Sequence, residues 1–90
     1  MHDSAHVSQR VQVMFGNRVR QLRLAAEMTQ EDLAHHCGLF RTYMSRIETG
    51  RANPTLTMIH ALADSLRVPV SALFDPEKPA PASKARASKR

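Results

Sequence analysis

Apolar residues recur along the middle of this chain at helical intervals. Phe15, Val19, Leu22 and Ala26 fall at i, i+4, i+7 and i+11, which predicts one face of a first helix. Thr29, with Asp32 three residues later, forms a weak capping box and opens a second helix that turns Leu33, Ala34 and Cys37 to a core. Gly38 suits a left-handed stop. A third helix follows, with Met44 and Ile47 on its apolar face, Phe40 as a further candidate, and Gly50 as its end. After the Asn53-Pro54 turn signal, Thr55 caps a fourth helix with Leu56, Ile59, Leu62, Ala63 and Leu66 inward. Pro69 fits the first turn of a short fifth helix that buries Val70, Leu73 and Phe74. No alternating pattern with hairpin turns occurs. The expected fold is all-α, a compact set of five helices.

Composition divides the 90 residues into three zones. Residues 1–10 are polar and read as a flexible N-terminal arm. Residues 11–74 carry the periodic apolar positions and read as one domain. Residues 75–90 contain Pro, Ala, Ser, Lys and Arg but no large apolar residue, so they read as a basic disordered tail. The net charge is +5, and +3 of it sits in that tail, where five Lys or Arg face Asp75 and Glu77. A basic balance suggests a polyanionic partner. The tail either solubilises the chain or adds non-specific affinity for nucleic acid. A single cysteine, Cys37, rules out an intrachain disulfide. No stretch approaches the roughly 20 apolar residues of a bilayer span. The first ten residues lack the apolar core of a secretory signal. The expected location is cytoplasmic and nucleoid-associated.

The informative segment is Thr29 to Asn53, TQEDLAHHCGLFRTYMSRIETGRAN. It holds two short helices around Gly38-Leu39, and a short glycine-containing turn sets such helices at a steep angle. Met44 and Ile47 lock the third helix inward, which leaves Arg41, Thr42, Tyr43, Ser45 and Arg46 outward. Arginines there can bond guanine O6 and N7 in a major groove, which admits one α-helix. Thr42 and Tyr43 add a methyl, hydroxyls and a flat ring.

With these residues in view, the chain resembles the helix-turn-helix domain of the lambda-repressor and Cro type, the XRE family of bacterial and phage regulators. The matching blocks are FGNRVRQLR, TQEDLA, RTYMSRIETGRANPTL and IHALADSLRVPVSALF, spanning about residues 14–74. RTYMSRIETGRANP is similar to small stand-alone regulators, including restriction-modification controller proteins. The resemblance implies a sequence-specific DNA-binding regulator, a repressor by preference. Arg41, Thr42, Tyr43, Ser45 and Arg46 would read base edges. Gln30, Arg51 and Asn53 would bind phosphate, and Arg23 with Glu48 would form a structural salt bridge. Two positions depart from the family pattern. Phe40 stands where a polar cap is common, and it either packs locally or lies exposed near DNA, where a thymine methyl would suit it. Arg67 stands where Asn or Gly would end a helix more comfortably.

One recognition helix reads about four or five base pairs, so a two-fold dimer on half-sites about 34 Å apart is expected. The partners are therefore double-stranded DNA and a second copy, on a palindromic operator. The fourth and fifth helices are the expected interface, with Leu73 and Phe74 as apolar contacts. RNA polymerase or a toxin is a further possible partner, and the alternative function is an antitoxin-type or adaptor interaction module. No separate effector domain is expected. No enzyme, cofactor or metal is expected either, since no Ser-His-Asp set, phosphate loop or zinc spacing is present. His35 and His36 lie about 100° apart on a helix and do not converge on one ion. Cys37, Met28, Met44 and Met58 read as core or half-core filler, and His60 as solvent-facing.

Overall fold

A computed structural model describes residues 4–75, with side chains from His6 onward. Helix α1 spans Ser4–Ala25, α2 Gln30–Cys37, α3 Arg41–Glu48 and α4 Leu56–Leu66. A 3-10 helix, Val70–Phe74, closes the order, and no strand occurs among the described residues. The expected all-α fold is therefore observed, with its fifth helix of the 3-10 type. Helix α3 packs on α1 and α2, α2 packs on α4, and the 3-10 helix bridges α1 and α4.

The boundary expected at residue 10 moves. Helix α1 already begins at Ser4, so most of the segment read as a flexible arm is helical. No Gly or Pro interrupts residues 4–15, and Val7, Val11 and Met14 add a second apolar stripe at helical spacing. All three are exposed. The tail from residue 76 lies outside the described residues.

Local chemistry sets the element ends. Thr29 Oγ1 accepts from the Asp32 backbone N–H at 3.0 Å, and Asp32 Oδ2 accepts from the Thr29 N–H at 2.9 Å, a complete capping box. The Thr29 backbone N–H, then its hydroxyl, hold the Asp32 carboxyl below the ordinary carboxylate value. Gly38 ends α2 at φ 71°, and the next N–H, that of Leu39, donates to the Ala34 carbonyl at 2.8 Å. Thr55 caps α4 through the Met58 N–H at 3.1 Å. Arg67 ends α4 at φ 60°, a left-handed conformation strained for any side chain with a Cβ.

The core joins Phe15, Val19 and Leu22 of α1 to Leu33, Ala34, Met44, Ile47, Leu62, Ala63, Leu66 and Leu73. Two expected inward positions differ, Leu56 and Phe74, the latter 48% exposed, while Phe40 takes the exposed one of its two alternatives. Leu56, at the first position of α4, is 71% exposed, and Phe40 is 83% exposed. Leu56 and Phe40 sit at helix starts, ahead of the buried positions of α4 and α3. Cys37 is half-buried against the core with its sulfur 3.5 Å from Ser65 Oγ, and desolvation pushes its thiol upward despite that contact.

Gly16 decides how close α1 and α3 approach. A Cβ at Gly16 would lie 2.2 Å from the Ile47 carbonyl oxygen, so the backbones touch where any side chain would part them.

Candidate nucleic-acid interface

The orientation of α3 is fixed from beneath. Arg23 on α1 donates from Nε to Glu48 Oε2 at 2.6 Å and from Nη2 to Glu48 Oε1 at 3.0 Å. Its Nη1 donates to the Met28 carbonyl at 2.8 Å. Both side chains are buried. Removing two charges from water is costly, and only such a two-pronged geometry with further bonds offsets it. Glu48 is the last residue of α3, so this pair sets the helix's rotation about its own axis. The salt bridge expected for Arg23 and Glu48 is present.

At about 100° per residue, that rotation divides the helix. Met44, Ile47 and Glu48 are buried, while Arg41, Thr42 and Arg46 are exposed. Ser45 is half-exposed on the outer side. Thr49, the C-cap, is exposed beside them, and its hydroxyl donates to the Ser45 carbonyl at 2.9 Å. Tyr43 is displaced from the expected face: it is half-buried and packed against the core. The Arg46 guanidinium lies 6.0 Å from the Tyr43 ring centre, within cation–π range.

The helix-turn-helix domain family matches residues 14–73. The chain belongs to that family of DNA-binding transcriptional regulators. It is 42% identical over 66 residues to the control protein C.BamHI of Bacillus amyloliquefaciens, covering 72% of this chain and 82% of that protein. It is 37% identical over 62 residues to the immunity repressor protein of Bacillus phage phi105, covering 69% of this chain and 43% of the repressor. The crystal structure of the restriction-modification controller protein C.AhdI from Aeromonas hydrophila superposes with a TM-score of 0.67 at 42% identity, over 69% of this chain and 94% of C.AhdI.

In this helix-turn-helix unit the arginines of the outer face rest on neighbours. Arg41 Nη1 donates to Gln30 Oε1 at 3.4 Å, and Arg46 Nη2 donates to the Arg51 carbonyl at 3.0 Å. Each retains further guanidinium donors. Gln30 has a different role in the free protein from the phosphate contact expected of it. It is half-buried, and its Nε2 donates to Glu48 Oε1 at 3.1 Å. A hydrogen-bonded chain therefore runs from Arg23 through Glu48 and Gln30 to Arg41. Arg51 and Asn53 are exposed in the segment after α3.

Leu73 requires correction as an interface residue. It is completely buried within its own chain, because its position in the 3-10 helix points under α1 and α4, so it offers no surface to a second copy. Phe74 stays 48% exposed, its ring 5.2 Å from that of Phe15. Val11, Met14, Phe15, Leu73 and Phe74 together line a small apolar pocket.

Two residues have structural roles that spacing did not assign. Arg18 is buried, with its Nε donating to the Ala72 carbonyl at 2.8 Å and Nη1 to Gln21 Oε1 at 3.1 Å. Its spacing from Phe15 and Leu22 puts it on the buried face of α1, but an arginine there does not read as a core residue. Gly16 carries a weaker signal, since a glycine inside a helical pattern costs about 1 kcal/mol against alanine and so hints at a packing reason without naming the partner.

Proposed function

We propose that this regulator binds a palindromic operator as a homodimer, with α3 in the major groove of each half-site. The observation that carries the reading is the exposed set Arg41, Thr42 and Arg46 on a helix whose rotation the buried Arg23–Glu48 pair holds. Rigid placement matters, since bidentate reading of guanine needs both donors of an arginine in register with two acceptors. Ser45 and Tyr43 border that face, and Gln30, Arg51 and Asn53 lie where phosphates would pass. Phosphate capture by Gln30 would exchange its bond to Glu48 for one to DNA.

The second copy docks on the face formed by Phe74 with Val11 and Met14 of α1, a revision of the interface expected on the fourth and fifth helices. Repression follows where the operator overlaps a promoter, and contact with RNA polymerase would give activation instead. Among the described residues no helix is long and apolar enough to cross a membrane, in keeping with work on DNA in the cytoplasm.

Selection from random duplex DNA at fixed salt tests the reading, comparing the natural chain with the double variant Arg41→Ala, Arg46→Ala. An enriched palindrome is expected, lost in the double variant while weak non-specific binding survives. A folded protein that enriches no motif would overturn the proposal.

A further inference from the structure

Phe40 is the most exposed large apolar side chain among the described residues. It occupies the N-cap of α3 in extended conformation, at φ −78° and ψ 148°, and its side chain makes no capping bond. The same position is filled by Thr29 in α2 and Thr55 in α4, each accepting a backbone N–H. A phenylalanine there forfeits the stability that Ser, Thr, Asn or Asp would supply. Its ring, 83% exposed, also recovers almost nothing from burial. For the free chain the residue is unfavourable on both counts.

Its position gives it a use. Arg41 and Thr42, both exposed, follow it directly, so the ring marks the N-terminal end of the reading face. In helix-turn-helix docking that end of the recognition helix meets the base edges. The 5-methyl group of thymine is the apolar feature of the major-groove floor, and phenylalanine is among the side chains that contact it. We propose that Phe40 reads a thymine 5-methyl in each half-site and so sets specificity at a position the arginines do not discriminate. The proposal rests on operator binding through α3. The contact senses the methyl group rather than a hydrogen-bonding edge, so a 5-methylcytosine at the same place would satisfy it as well.

The test uses the full chain and the duplex selected above, with each thymine of the half-site replaced in turn by deoxyuridine, which lacks only the methyl. At one position the natural chain is expected to lose affinity about fourfold, and about fifteenfold when both half-sites are substituted, the value of one buried methyl per contact. Cytosine placed there should bind better when 5-methylated. Phe40→Asn restores a capping side chain, so it should melt higher while binding thymine and deoxyuridine duplexes equally. Phe40→Leu should keep the preference for thymine. Equal binding of every deoxyuridine duplex by the natural chain would overturn the proposal, as would an unchanged thymine preference in Phe40→Asn. Both results leave operator binding intact, whereas failure to enrich any half-site strikes the operator reading itself.

Discussion

Arg18 and Arg23 lie five residues apart on α1 and both are buried, yet they anchor different elements by different chemistry. Arg23 meets a carboxylate with two donors and a carbonyl with a third, and Gln30 adds a further bond to that carboxylate. Arg18 meets only neutral oxygens, those of Ala72 and Gln21, and its Nη2 has no hydrogen-bond partner among the described residues. The reading helix is thus held by a directional ion pair, and the 3-10 helix by a single main-chain tether plus the apolar packing of Leu73. A helix that must present chosen side chains needs its rotation fixed. A segment that only closes a core needs to be kept in place.

The largest effect expected from this contrast is at Glu48. Glu48→Ala strands the buried Arg23 guanidinium and should cost about 3–5 kcal/mol in urea unfolding, with selective DNA binding falling further than non-specific binding. Arg18→Ala should cost less, about 2–3 kcal/mol, through the lost bond to Ala72 and the cavity left behind. Its signature differs: sedimentation should show weakened self-association, because the tether holds Phe74, while the DNA motif recovered by selection stays unchanged. Equal costs at the two sites, or a blurred motif in Arg18→Ala, would erase the distinction between them. The smallest effect lies outside both regions and calibrates them. Arg67→Gly relieves the left-handed φ of 60° and should raise stability by about 0.5–1 kcal/mol with no change in DNA binding.

Much of the candidate site is legible in the amino-acid sequence. Arg41, Thr42 and Arg46 face outward because Met44 and Ile47 must face inward, and three residues' spacing dictates the rest. Tyr43 escapes that logic because a phenol suits either a groove wall or a core margin, and only the position of neighbouring side chains chooses. Leu73 and Phe74 look alike as interface candidates because an apolar pair at a short helix's end has one residue to bury and another to spare. Sequence spacing does not say which. The helical N-terminal segment is hidden by its polar composition, which outweighs the sparse stripe of Val7, Val11 and Met14.

Local signals in the chain alone determined helices α2, α3 and α4, the capping threonines, the glycine turn at Gly38 and the outward arginines, since each depends on residues within one or two turns. Tertiary structure alone decided the rest. It buried Arg18 rather than its exposed neighbours, brought the α1 and α3 backbones into contact at Gly16, and left Phe40 open to solvent. Those outcomes depend on which surfaces meet between segments far apart in the chain, and no local periodicity encodes the distance between two helices.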